Sequence, residues 1–496
     1  MQEVFDVVVV GAGNAALCAA LAALDEGARV LVLERGAEKE RGGNSSYTAG
    51  AFRVPYRGVE DLVQLIPDLT ASEIDRNDYG CYTEADFFED MGRVTRYRAD
   101  PDLTETLVTR SFETLLWMRT HGVRFLPMYQ RQAFKTESGA FRFWGGLTVE
   151  SSGGGPGLVD ALFDAASKGG AEVWYEARAV RLVHEWPTGV TGVVVRRTDG
   201  EMVVQARAVV LASGGFEASA EMRARYLGPG WDLAKVRGTR HNTGDGIRMA
   251  LDIGAEPFGH WSGSHAVSWD MNAPTYGDLA VGDGFQKHSY PFGIMVNARG
   301  ERFVDEGADF RNYTYAKYGA QVLAQPGQFA WQVFDAKVSH LLRDEYHIRE
   351  VTKVEADSLD ELAAKMEGVD GPAFLATVDA FNAAVQQDVP FDPTVKDGRG
   401  TIGLPVPKSN WANRIDQPGF TAYGVTCGVT FTFGGLHVNA HAAVLDVDQS
   451  PIPRLYAAGE LVGGLFYFNY PGGTGLMSGS VFGRIAGRAA GRAALS

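Results

Sequence analysis

The sequence predicts an α/β protein: a parallel sheet assembled from distant parts of the chain, with a second, α+β domain inserted between them. Three observations predict it. Short apolar runs ending in glycines occur three times: Val7-Val8-Val9-Val10 before Gly11, Val209-Val210-Leu211 before Ala212-Ser213-Gly214-Gly215, and Leu455-Tyr456 before Ala457-Ala458-Gly459-Glu460. Such near-continuous runs read as parallel strands covered on both faces. They fall at the beginning, middle and end of 496 residues. Residues 257–410 differ in character, being richer in aromatic and polar residues, with a helical run Ser358 to Lys365 and the Pro-rich piece Leu404-Pro405-Val406-Pro407. The expected division is therefore 1–256, 257–410 and 411–496. The outer two segments form one domain and the middle one caps it.

Taken in chain order, the first strand leads through Gly11-Ala12-Gly13-Asn14-Ala15-Ala16 into a helical run, Ala16 to Glu26. Glycine at 11 permits the tight turn, glycine at 13 lets backbone N–H groups approach a pyrophosphate, and the small Ala16 lets helix and strand pack closely. Asn14 and Ala15 stand at the helix start, whose positive dipole end faces the anion. The next strand, Val30-Leu31-Val32-Leu33, closes on Glu34, at the right distance to accept ribose hydroxyls, with Arg35 beside it. Strand, helix and acidic residue in register predict a Rossmann-like dinucleotide site.

A second Gly-rich stretch follows at once. Arg41-Gly42-Gly43-Asn44-Ser45-Ser46 can hold a flavin phosphate or ring. From about 90 to 175 the pattern is helical, broken by the glycines between Ser151 and Gly157. Glu172-Val173-Trp174-Tyr175 and Gly192-Val193-Val194-Val195 then alternate as a β-meander. The middle strand delivers Ala212, Ser213 and Gly214 to the same site, and Thr243-Gly244-Asp245-Gly246 opens another helix. The last strand delivers Gly459 and Glu460, a second flavin contact. Each of these motifs alone reads equally well as a helix cap or tight turn. Four together favour FAD over NAD.

Composition bounds the rest. With 46 basic and 61 acidic residues, the net charge of −15 gives no electrostatic pull toward nucleic acid. Glycine accounts for 61 of 496 residues, well above the usual ~7%, and without a collagen period the excess belongs to turns and close backbone approaches. Three cysteines, Cys18, Cys81 and Cys427, are far apart, and ten histidines show no ligand spacing, so neither a disulfide framework nor a metal site is expected. No stretch of about 18 apolar residues predicts a transmembrane segment. The start, Met1 to Asp6, runs straight toward the first strand without a basic leader, and the expected location is cytoplasmic. A nucleophile elbow, a zinc-protease helix and a P-loop are all missing from the sequence.

The set resembles the flavoprotein family of fumarate reductase, succinate dehydrogenase and 3-ketosteroid Δ1-dehydrogenase, within it most of all the tricarballylate dehydrogenase branch. The resemblance covers essentially the whole chain: Gly11 to Ala16, Glu34-Arg35, Arg41 to Ser45, Ala212 to Phe216, Thr243 to Gly246, Asn297 to Glu306, Thr432 to Leu436, and Tyr470 to Ile485. It implies a Rossmann-like FAD-binding domain with parallel sheet and β-meander, an inserted capping (substrate) domain, and hydride transfer between flavin N5 and a carbon next to a carbonyl or carboxylate. It also implies that Gly475, Ser478 and Gly479 meet the cofactor, at a helix expected to begin near Ser478.

Site residues carry over unevenly. Beyond Arg302-Phe303-Val304-Asp305-Glu306, the position of the family's catalytic arginine or tyrosine is Phe310, leaving Arg311 and Tyr313 as neighbours that could substitute. His265 matches a substrate-binding histidine. A second family histidine is replaced by Phe431, and the C-terminal substrate arginine by Tyr470, as in the ketosteroid branch, where that tyrosine polarises the substrate carbonyl. Tyr47 stands where the succinate dehydrogenase branch has its flavin-linked histidine, so non-covalent FAD is expected.

The exchanges have a physical reading. A dicarboxylate needs paired cationic donors to offset its desolvation, and they are depleted here. A carbonyl gathering enolate charge needs hydrogen-bond donors, which a tyrosine supplies. Core packing of the aromatic cluster (Phe466, Tyr467, Phe468), a structural His265 and an ion-paired Arg311 are the competing readings. The expected function is an FAD-dependent desaturase acting α,β to a carbonyl or carboxyl of a small-molecule substrate: a cyclic ketone, keto acid or carboxylic acid. A tricarballylate-type dehydrogenase or an enoate reductase running in reverse is the alternative. Electrons would leave to oxygen, a quinone or a separate redox protein. A flavin-free binding protein of the GDP-dissociation-inhibitor kind is disfavoured by the intact second Gly-rich stretch, and an NAD(P)H-using reductase by the missing second G-x-G-x-x-G.

Overall fold

The computed structural model describes residues 4–136 and 138–496. Met1–Glu3, expected to lead into the first strand, lie outside the described residues. The chain divides into two compact units: Met1–Asp232 with Gly238–Ser264 and Phe431–Ser496, and Leu233–Arg237 with His265–Thr430. The edges fall later than the expected 257 and 410. The strands Pro257–Asp270 and Phe420–Leu436 each run through a boundary without a break, so a shift in composition does not mark it.

In the first unit the three apolar runs become neighbouring strands. Their order is Pro451–Ala457, Gly200–Leu211, Val4–Val10, Val30–Leu33, Glu172–Trp174, and all four pairings are parallel. Val7 to Val10 are buried on both sides of this sheet, as a parallel interior strand requires. The meander differs from expectation in one strand. Glu172–Trp174 joins the parallel edge, and the antiparallel set is Arg178–Glu185, Gly189–Arg197 and Gly200–Leu211. The stretch expected to be helical also holds four short strands: Phe125–Pro127, Ala133–Lys135, Phe141–Phe143 and Val149–Ser151. Each has only three residues, too few to show an alternation against the long helices Pro101–Thr120 and Gly154–Lys168 on either side.

Two helices frame the cofactor end of the sheet: Asn14–Asp25 and the C-terminal Thr474–Leu495. They cross at glycines. A Cβ at Gly483 would lie 2.4 Å from the carbonyl oxygen of Ala15, and one at Gly487 would lie 2.0 Å from that of Ala19. The C-terminal helix starts at Thr474, not near Ser478. Gly473 at φ +81° turns the chain into it, and Ser478 sits one turn inside, its hydroxyl bonded back to the carbonyl of Gly475.

The second unit is an α+β domain on a six-stranded mixed sheet centred on Phe420–Leu436. The helices Leu359–Lys365 and Gly371–Ala384 cover it with Leu362, Phe374, Val378 and Phe381, packed on Trp331, Val333 and Ile294. Among the described residues no helix is long and apolar enough to cross a membrane.

Candidate active site

The dinucleotide cradle shows why its two glycines differ. Gly11 has φ +109°, and a Cβ there would lie 2.3 Å from the carbonyl oxygen of Ala212, so the fold itself demands glycine. Gly13 has φ −80°, and its nearest neighbours, the Gly42 carbonyl and Ser45 Oγ, would stand 3.5 Å from a Cβ. These are ordinary contacts, so nothing in the chain requires glycine there, and its use suits the close approach of a pyrophosphate. Gly13 caps the helix without any side-chain hydrogen bond, and Ala15 and Ala16 are buried beneath. Asn14 gives its backbone N–H to Ser45 Oγ at 3.0 Å and its amide to the Leu476 carbonyl at 2.9 Å and Ser480 Oγ at 3.0 Å. The first and last helices are thereby tied end to end. Gly479 lies against Asn14 and Ala15.

Glu34 ends the second strand in a buried position, one oxygen accepting the Gly36 N–H at 2.6 Å, and burial pushes its carboxyl up to about 7. Arg35 and Asp245, both expected at the cofactor, pair with each other at 3.1 Å. Arg178 adds two bonds to Asp245, at 2.8 and 3.0 Å, and Arg248 also contacts it. The T-G-D-G turn is thus clamped to the second strand's end. Gly42 at φ +98° and Gly43 at φ +54° bend the second Gly-rich stretch into a single turn, Gly43–Tyr47, which buries Tyr47.

Asn44 is held from both ends of its amide. It donates to Glu217 at 2.7 Å and accepts from the Thr239 N–H at 2.9 Å. Glu217 also takes the Asn242 amide at 2.6 Å, and its carboxyl neighbours that of Glu460. Burial raises both carboxyls above the usual range. Glu460 further accepts the Thr432 N–H at 2.8 Å. Its carboxylate is therefore committed to the protein, leaving its backbone for a cofactor. Gly459, at φ +83°, lies 2.8 Å from Ala15 Cβ by the same construction, and Gly214 at φ +75° packs on Asn242. Ala212 is buried, and Ser213 Oγ is buried without a hydrogen-bond partner among the described residues.

Tyr470 stands where the chain turns into the last helix. Its ring is flanked by Phe431, 6.4 Å away and nearly parallel, and Phe466, 5.3 Å away and edge-on. A Cβ at Gly475, in the first turn of the helix, would stand 3.5 Å from both the Tyr470 and Phe431 rings. Arg53 braces this turn from behind, its N–H groups reaching the carbonyls of Gly472 and Gly473.

The second unit carries the remaining expected residues. His265 is buried, its ring 4.9 Å from Tyr315, with His288 5.0 Å from the same ring. Burial, with the Arg237 cation nearby, holds His265 well below its ordinary pKa, so it is neutral near pH 7. Arg237 is itself paired with Asp283 at 2.5 Å. Arg311 and Tyr313 share the turn Arg311–Tyr313, with Arg311 buried and Tyr313 half-buried. Phe310 packs on Trp411 at 5.6 Å. The R-F-V-D-E motif is a brace: Arg302 pairs with Glu306 at 2.5 Å, and Glu306 accepts the Met295 N–H at 2.8 Å.

Comparison with known proteins decides the family. The profile of the FAD binding domain matches residues 6–476. The chain belongs to this FAD-binding family. A probable fumarate reductase of Shewanella frigidimarina is 30% identical over 97% of this chain and 74% of its own length. A 4-oxocyclohexanecarboxylate 2-dehydrogenase of Sinomonas cyclohexanicum is also 30% identical, over 95% of this chain and 90% of its own. The open conformation of a flavocytochrome c3 fumarate reductase superposes with a TM-score of 0.73 at 28% identity, covering 100% of this chain and 79% of that one. The chain is an FAD-dependent oxidoreductase of the class that acts on CH–CH groups.

The residues present fit FAD. The helix start at Gly13, which has no side-chain cap, the Ser213 hydroxyl, without a partner among the described residues, and the buried Glu34 carboxyl each follow one of three neighbouring parallel strands. Sequence reasoning missed Arg53, Asp90 and Glu217. None lies in a motif, and each acts through partners far away in the chain; Arg53 and Gly472 are 419 residues apart.

Proposed function

We propose that this flavoenzyme introduces a double bond α,β to the carbonyl of a small cyclic ketone or keto acid. FAD, held without a covalent bond because Tyr47 replaces the linking histidine, supplies the hydride acceptor. The observation that carries the reading is the setting of Tyr470. Its phenol lies between two aromatic rings at the first turn of a 22-residue helix, where the dipole favours developing negative charge. A hydroxyl donor there suits a carbonyl oxygen that gains enolate charge as the α-proton leaves. Phe431 and Tyr470 occupy two positions where the dicarboxylate enzymes of the resembling family carry histidine and arginine. The ring keto acid in the name of the Sinomonas relative has this chemistry.

A second reading keeps a carboxylic acid as substrate, with reduction of an enoate as the running direction. The buried Arg311 and the Shewanella relative favour it. In either reading electrons exchange with oxygen, a quinone or a separate redox protein. Anaerobic bleaching of the flavin near 450 nm separates the two. Ready bleaching by 4-oxocyclohexanecarboxylate or cyclohexanone supports the desaturase. Bleaching by succinate or tricarballylate alone supports the second reading and overturns the first.

A further inference from the structure

Gln132 ends the short helix Tyr129–Gln132 in the first unit and has no solvent exposure. Neither its Oε1 nor its Nε2 has a hydrogen-bond partner among the described residues. Its backbone is fully engaged: the N–H donates to the Met128 carbonyl and the carbonyl accepts the Trp144 N–H, both at 3.1 Å. Its neighbours along the segment, Met128, Ala133, Phe143, Trp144 and Leu147, are buried as well. A primary amide with two unmet atoms in such a place carries the full desolvation cost of both, and native proteins keep such a group for a ligand or a structural water.

The segment's position indicates which ligand. The chain passes from Gln132 through the hairpin Ala133–Lys135 and Phe141–Phe143 to Gly146-Leu147-Thr148. That stretch is seated on the turn after Tyr470. Leu147 Cδ1 would lie 2.2 Å from a Cβ on Gly473, and Arg53 Nη1 2.3 Å from a Cβ on Gly146. Thr148 also accepts the Met128 N–H through its carbonyl at 2.8 Å, closing the segment back on the helix that ends in Gln132. The segment that carries the amide is thus seated, through Leu147, on the turn that follows the tyrosine assigned to the substrate carbonyl.

We propose that Gln132 is a substrate-recognition residue whose Nε2 donates a hydrogen bond to an oxygen of the substrate, carbonyl or carboxylate. This rests on the reading of Tyr470 as substrate-facing. Being uncharged, the amide suits one oxygen of a ketone or monocarboxylate and does not offset a second charge. That narrows the substrate class toward ring ketones and keto monoacids.

The test replaces both unmet atoms with apolar ones of similar size, Gln132→Leu and Gln132→Met, in the FAD-loaded enzyme. The expected result is unchanged flavin content and an unchanged or raised Tm, with KM for 4-oxocyclohexanecarboxylate up roughly tenfold. Cyclohexanone and cyclohexanecarboxylate, each lacking one oxygen group, then show which oxygen the amide meets; the one whose KM is insensitive to the substitution lacks it. A Tm lowered by several degrees in both variants would show that the amide has a structural partner and overturn the inference, whatever the substrate. An unchanged KM for the compound that best bleaches the wild-type flavin overturns it too. Wild type that ignores all three ring compounds overturns the function proposed above instead; the KM of succinate or tricarballylate in the two variants then decides on Gln132.

Discussion

Arg53 donates through Nε to the carbonyl of Gly472 at 2.9 Å from a position with no solvent exposure. Its Nη1 reaches Asp90 at 3.1 Å and Tyr82 at 2.8 Å, and Tyr82 donates to the same Asp90 oxygen at 2.7 Å. A buried cation therefore holds the turn that aims Tyr470, and a buried carboxylate holds the cation.

Removing one partner of such a pair strands the other. Arg53→Met takes this cation from the buried Asp90, and the expected loss of stability is about 3–5 kcal/mol. Chemical denaturation measures it. A loss under 1 kcal/mol would show that the pair is not what holds the turn.

Gly11 and Gly13 are expected to fail in opposite ways. Gly11→Ala forces a Cβ against the Ala212 carbonyl at a left-handed φ, so folding itself suffers. Gly13→Val keeps an ordinary backbone conformation and should fold, yet its side chain fills the pyrophosphate space, giving stable, colourless protein. The absorbance-to-protein ratio and Tm of the two variants separate the cases. A yellow Gly13→Val protein contradicts the placement.

FAD affinity should depend on pH through Glu34. Burial raises its carboxyl from an ordinary 4.5 to about 7, so between those values the folded apoprotein keeps a proton that the unfolded chain has lost. This contribution to apoprotein stability therefore falls as pH rises from about 4.5 to 7. Ribose hydroxyls donate to the ionised form, so FAD binding should tighten over the same range and level off above pH 7. Fluorescence titration of apoprotein at several pH values reads this. Glu34→Gln should bind more weakly and with a flatter profile.

With Tyr47 in place of a linking histidine, acid precipitation should release all flavin to the supernatant. A yellow pellet refutes that reading.

The parts of the fold legible in the sequence are those written in contiguous residues. Val7 to Val10 with Gly11, and Glu34 after Val30–Leu33, are local patterns with one physical meaning, and the structure sets them side by side. The three runs could be placed in one sheet because each is too apolar to face water. What escaped depends on partners the sequence keeps apart. Glu217, next to Gly-Gly-Phe, carries no signal of its own in the sequence, and only the fold brings Asn44, Asn242 and Glu460 to it. Asp245 reads as a cofactor contact, and its pairing with three arginines is not visible in the sequence. The motif Arg302 to Glu306 serves in the sequence as a landmark for the position of Phe310, and its ion pair braces the strand Ile294–Val296.

Tyr470 is the residue whose chemistry the remaining prediction tests. Pro471 after it fixes φ and keeps the preceding backbone extended, and Gly473, with φ +81°, then turns the chain into the helix. Phe431 and Phe466 leave the ring little freedom, and Arg53 fixes the turn from the other side. The phenol is thus held before substrate arrives, the condition under which a donor stabilises developing charge without reorganising. Tyr470→Phe removes only the hydroxyl and keeps the ring contacts, so fold, Tm and flavin content should be unchanged. Losing one such donor costs about 3–4 kcal/mol of transition-state stabilisation, and kcat should fall by about a hundredfold or more with a smaller change in KM. The decisive measurement is stopped-flow flavin reduction by the substrate that bleaches the wild type. A rate within about threefold of wild type would make Tyr470 a packing residue, and the donor to the carbonyl would have to be sought elsewhere.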